Sequence, residues 1–204
     1  MELKRILGIL TLGSLWGVLE ATLGGALHWV MPFSPYNGAM MFSIAAFIMV
    51  EARRSYGKLG VVTAIGFVAA SFKLLNLVFF VSPCVFHPIH PMLAIIIEAA
   101  AVDIVLAILS KSKLKTYYPL GAVIGSLGAL VSAFVLFLPP INRVPALLDP
   151  TVFLTYLFIS ALGCAITVPL AFKLVLPFRS QSAPATDVLI IGGCWMVGIL
   201  STVI

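Results

Sequence analysis

Four ionisable side chains, Glu20, Lys73, Glu98 and Asp103, fall inside runs of residues that are otherwise apolar enough to lie in a bilayer. At the centre of a membrane helix a charged residue costs on the order of 2.5–3.5 kcal/mol or more, so it normally faces a partner, a water-filled cavity or a ligand. The densest such stretch is 73–103. Lys73 and Asn76 precede a connection rich in Pro and His, and Glu98 and Asp103 follow it. Glu20, Lys73, Asn76 and Glu98 together supply two carboxylates, one amine and one amide. That set can orient a small polar or zwitterionic solute in a mostly apolar pocket. Trp16, Phe33 and Tyr36 are the candidate aromatic walls, and Asn142 and Arg143 the polar groups that reach in from a later connection.

Other chemistries find less support. Cys84, His87 and His90 lie close together in the sequence PCVFHPIHP, which invites a metal reading. A zinc site wants three or four convergent ligands, and neither HExxH nor paired CxxC occurs, so no metal and no cofactor is expected. With three histidines in the chain and no two facing each other in mid-helix, a bis-His haem anchor is not expected either. No Gly-rich nucleotide loop, nucleophile elbow or Ser/His/Asp order stands out, and an enzyme is not expected. Cys84, Cys164 and Cys194 suit small buried hydrophobes better than a disulfide framework.

These residues are positioned by a chain that is 62% hydrophobic and 9% charged, where a soluble domain carries about a quarter charged residues. Spanning helices need roughly 20 mostly apolar residues. On that basis helices are expected near 6–31, 38–53, 59–82, 92–109, 117–138, 151–176 and 187–204, an all-α integral membrane bundle of six or seven spans in one domain. The first run follows Lys4 and Arg5 as a signal sequence would, but its length and Glu20 argue for a retained helix. Lys and Arg gather at 4–5, 53–58, 111–115 and 173–179, whereas the alternate, Pro-rich connections carry Arg143 as their one basic residue. The positive-inside rule then places the N-terminus in the cytoplasm of a multi-pass cell-membrane protein. The net charge of +5 reports this orientation and not nucleic-acid binding.

Projected at 100° per residue, Gly13, Gly17, Glu20 and Gly24 fall on one stripe, with Trp16 and His28 at its edges. Gly66, Ala69, Lys73 and Asn76 form a similar stripe on the third helix, and Gly121, Gly125, Gly128 and Ser132 on the fifth. Small residues at this spacing let another backbone approach closely. On the first and third helices the stripe also carries the charge, which turns that charge inward. Counted at 1.5 Å per residue from the outer helix ends, Glu20 lies about 16 Å, Lys73 about 13 Å and Glu98 about 10 Å deep. They can therefore meet, either around a ligand or as a Glu20–Lys73 or Glu98–Lys73 ion pair. Asp103 lies about 140° around its helix from Glu98 and cannot share that pocket equally. Glu51, beside Arg53 and Arg54, is expected at the interface, and Lys173 is expected to snorkel to headgroups.

The helix number, the cytoplasmic N-terminus, the small-residue stripe with a Trp on the first helix and the capping outer loops resemble the S component of energy-coupling factor importers. The resemblance is one of architecture over residues 4–179, and the run at 187–204 departs from the family's usual six helices. It implies a membrane subunit that captures a vitamin or similar micronutrient toward its outer face, under residues 33–38, 83–91 and 139–150. It also implies a coupling membrane subunit and two ATPases as partners, docked through Gly13, Trp16, Gly17 and Ala21. A solute-binding importer subunit is the leading expectation. A non-catalytic membrane anchor or scaffold in a larger complex, and a proton- or ion-conducting unit relaying charge through Glu20, Lys73, Glu98 and Asp103, are the alternatives.

Overall fold

The computed structural model describes residues 2–30, 36–79, 89–109, 117–137, 149–174 and 184–203, and all of its regular elements are helices. Seven follow in order: α1 (Glu2–Val30), α2 (Tyr36–Tyr56), α3 (Val61–Phe79), α4 (Ile89–Leu109), α5 (Tyr117–Phe137), α6 (Pro150–Lys173) and α7 (Pro184–Val203). Three of them, α1, α4 and α6, are long and apolar enough to cross a membrane, while α3, α5 and α7 contain shorter apolar stretches. The surface agrees with that composition. Phe67, Ile104, Ile108, Phe134, Phe158 and Leu189 all stand more than half exposed. Soluble monomers rarely leave contiguous apolar surface on that scale uncovered.

Helices α1, α3, α4, α5, α6 and α2 contact one another in that cyclic order and close a ring, with α7 outside it against α1 and α3. Helix α2 also leans inward, touching α3, α4 and α5. This explains why the most polar of the helices can exist in so apolar a chain: Ala39, Phe42, Ala46, Met49 and Val50 are buried by neighbours on several sides. Close approach depends on small residues. A side chain at Gly121 or Gly125 of α5 would strike the backbone of Cys164 and Ser160 on α6.

The turn from α2 to α3 shows how local chemistry sets boundaries. Gly57 takes a positive φ of 64° and its N–H bonds the Arg53 carbonyl at 2.8 Å, a common helix C-terminus that suits glycine. Gly60, with φ of 89°, then precedes α3 and has no side chain to cap it. The cap comes instead from α4. Asp103 Oδ2 accepts from Gly60 N at 2.7 Å and from Thr63 N and Oγ1 at 3.3 Å each, while Oδ1 meets Arg53 Nη1 at 3.2 Å. A carboxylate at a helix N-terminus satisfies orphan amides and complements the helix dipole. The next residue along α2, Arg54, treats the end of α6 in the opposite sense: it donates to the carbonyls of Ala171 and Leu174, contacts Glu51 Oε2 at 3.3 Å and covers the Phe172 ring.

Two expectations change here. Glu51 is 3% exposed and bound by Arg54 and Ser55, so it is a buried structural acceptor and not an interfacial charge. Asp103 is 1% exposed and belongs to this capping network, a structural role not foreseen for it. Replacing it should separate its two roles. Asp103→Asn keeps an acceptor for the α3 amides, whereas Asp103→Ala forfeits the cap and leaves Arg53 without its partner. The Ala variant is expected to lose roughly 1–2 kcal/mol more than the Asn variant, measured as detergent-solubilised unfolding. Arg53→Met added to Asp103→Ala should cost little further, because the interaction it would remove is already absent.

Candidate functional site

The polar residues expected to converge do so in part. On α1, Glu20 lies one turn beyond Trp16, and on α3 Lys73 reaches across to it. Lys73 Nζ stands 3.4 Å from Glu20 Oε2 and donates to the Glu20 carbonyl at 3.2 Å. Both side chains are mostly buried, at 14% and 13% exposure. Of the two pairings open from depth alone, the structure forms Glu20–Lys73. The register follows from α1 and α3 running side by side, with Gly13 seated on Val68 and Ile65 and Gly17 on the Phe72 ring.

That packing corrects one expectation. Gly13 and Gly17 were expected to receive a coupling subunit, but α3 already covers them. Phe72, the residue seated on Gly17, is in turn stacked on Trp195 of α7, with ring centroids 4.3 Å apart. Trp16 is 1% exposed and inside the core, so it too is no surface contact. Ala21 is half-buried.

Glu98 enters from α4. It is 8% exposed, and among the described residues no donor or cation bonds it. Its electrostatic neighbours are Glu20 on α1 and Cys164 on α6. The Trp16 ring and the Ala99 methyl both come up to Gly66 of α3.

Sequence reasoning missed a set of neutral polar groups buried in the helices. In apolar helices a Ser or Thr hydroxyl normally bonds the carbonyl one turn back, as Thr11, Thr22 and Ser43 do to Leu7, Val18 and Ala39. Ser14 Oγ, Ser160 Oγ, Thr167 Oγ1 and the indole Nε1 of Trp16 are buried with no partner. The α6 residues Tyr156, Ser160, Cys164 and Val168 recur every fourth position and are all buried, a stripe readable in the sequence once α6 is known to face inward.

The other expected residues divide as follows. Tyr36 opens α2, half-buried and engaged in an interaction. Asn76 and His90 lie on α3 and α4, but their side chains lie outside the described residues, as does that of His28. Phe33, Cys84, His87, Asn142 and Arg143 lie outside the described residues altogether, with most of the three Pro-rich connections. At the Asp103 end, burial and then the charges of Asp187 and Glu51 push the Tyr56 phenol above its ordinary range. No group of three or more His, Cys, Asp or Glu among the described residues could hold a metal ion.

No family model matches the chain, and neither a curated protein nor a solved structure matches it. Among the described residues, the arrangement that bears on function is the Glu20–Lys73 pair, the buried Glu98 and several unbonded polar atoms in an apolar bundle.

Proposed function

We propose that the protein is a multi-pass cell-membrane protein with a cytoplasmic N-terminus, acting as the solute-binding subunit of a micronutrient importer. The observation that carries this reading is that the bundle buries Glu98, which has no bonded partner among the described residues, as well as the Glu20–Lys73 pair. Keeping an acidic side chain in an apolar interior carries a desolvation cost that anchorage alone does not call for. A binding site does, because the ligand completes the pairing. With Gly13 and Gly17 covered by α3, a coupling subunit is proposed to dock on another part of the surface.

Purification of the full chain from its own membranes tests this reading. Co-purification of a coupling subunit and two ATPases, with a solute that raises the melting temperature, is the expected result. Redox or assembly subunits in their place would favour an anchor, and uncoupler-sensitive ion flux by the protein alone would favour a relay.

Orientation has its own test. In a background with Cys84, Cys164 and Cys194 replaced, Thr151→Cys should react with an impermeant thiol reagent added to intact cells. Lys58→Cys should react only after the cells are opened. The opposite pattern would invert the proposed orientation.

A further inference from the structure

We propose that the end of the bundle carrying the α2–α3 turn binds anionic lipid headgroups. Lys4, Lys58 and Lys173 take the phosphates, and Leu3, Leu59 and Leu174 enter the acyl boundary beside them; this rests on the membrane reading above and not on solute binding. Contacts place the three lysines at one end. Lys4 precedes Gly8 of α1 by about one turn, and the Tyr56 hydroxyl, from the last residue of α2, sits on Gly8. Lys58 follows Tyr56 by two residues. Lys173 closes α6 between Ala171 and Leu174, whose carbonyls accept from Arg54. The other charges here are already engaged. Arg53 is matched by Asp103 and Arg54 by Glu51, and Arg5 and Asp187 are engaged as well. Lys4, Lys58 and Lys173 are exposed, and among the described residues no acid matches them. At the opposite end the exposed charge among the described residues is an acid, Asp149.

The second observation is independent of charge. Each of these lysines has an exposed leucine as its chain neighbour, Leu3, Leu59 and Leu174. Such a pair at the end of an apolar helix fits the boundary between headgroups and acyl chains. The leucine meets hydrocarbon, while the ammonium reaches phosphate on its flexible stem. Leucines placed singly on three elements suit that boundary better than the compact apolar core of a protein interface. The middle pair is also held in position. Gly57 and Gly60 turn the chain through positive φ on either side of Lys58 and Leu59. Gly57 N–H bonds the Arg53 carbonyl at 2.8 Å, and Gly60 N–H bonds the Asp103 carboxylate of α4 at 2.7 Å. A tip fixed in this way has less freedom to lose when a lipid binds.

The test is native mass spectrometry of the full chain released from detergent micelles doped equally with phosphatidylglycerol, an anion, and phosphatidylcholine, which has no net charge. Preferential retention of phosphatidylglycerol is the expected result. Each Lys→Gln change at 4, 58 or 173 should weaken that preference roughly fivefold, the factor a basic residue contributes near an anionic surface. The triple Lys→Gln variant should lose the preference, and Lys→Arg at the same positions should keep it. Because the three side chains are exposed and unmatched, the triple variant should melt like the wild type in lipid-free detergent. Stabilisation by phosphatidylglycerol in the same melting assay should fall as salt is raised. Leu59→Ser should lower retention of both lipids alike. Glycerol 3-phosphate, which has the headgroup chemistry without acyl chains, should not displace the lipid; displacement would assign the rim to a free phosphate compound and overturn the lipid assignment. Equal retention of the two lipids, or a preference that the triple variant keeps, would overturn it as well. So would lysine variants that show no change in lipid retention but lose a co-purified protein. A chain that stays dissolved without detergent would instead remove the membrane reading itself.

Discussion

Substituting Lys73 by Ala is expected to lower the stability of the folded bundle by about 3–5 kcal/mol, because Glu20 is then a buried carboxylate without its cation. Lys173→Ala, at an exposed position near the end of α6, should change stability by less than about 0.5 kcal/mol. The diagnostic variant is the double substitution Glu20→Gln with Lys73→Met, which removes the pair as a unit. It should recover most of the loss, since a buried pair replaced by apolar or neutral groups is often close to neutral. The measurement is a double-mutant cycle by reversible unfolding in detergent. Strict additivity of the two single changes would show that the 3.4 Å contact carries no coupling.

The second large effect belongs to Gly17. A Cβ there would enter the Phe72 ring, and Phe72 is fully buried and backed by Trp195 of α7. It has nowhere to withdraw. Gly17→Leu should therefore destabilise the isolated protein by more than about 3 kcal/mol, in the range of severe overpacking. Its expected signature is a lower melting temperature of the chain alone, with α7 more open to proteolysis. A normally folded monomer that fails only to assemble with a partner would contradict the α1–α3 contact. Gly17→Ala, with a single methyl, should show a smaller loss of the same kind.

Helices were legible in this sequence because hydrophobic runs of bilayer length tolerate little else, and all seven expected runs correspond to helices. Boundaries were legible to within a few residues, and the deviations have causes. Helix α3 starts at Val61, later than expected, because Gly57 and Gly60 both turn through positive φ. The inward orientation of Glu20 and Lys73 was legible from glycine spacing, and so was their shared depth. What the glycines face was not. A small-residue stripe has the same spacing whether it seats a neighbour in the same chain or a separate subunit, and only the helix order around the ring assigns Gly13 and Gly17 to α3. The role of Asp103 was likewise hidden, since capping of α3 from α4 joins residues 43 positions apart. Ser14 and Ser160 gave no signal, because a serine in an apolar helix reads as satisfied by its own backbone until the geometry shows otherwise.

The central placement of α2 bears on biogenesis. On the multi-pass reading, this helix must enter the membrane carrying Asn37, Glu51, Arg53 and Arg54, a composition that partitions poorly into lipid when alone. Its neighbours within the ring include α1, made before it, and α3 to α6, made after it. At the moment of synthesis α1 is the one partner already present to shield it. Arg54 and Arg53 find the end of α6 and Asp103 only later. Translocation machinery would thus have to retain α1 and α2 together until the second half of the chain arrives, and lateral release into the bilayer would be the final step of assembly.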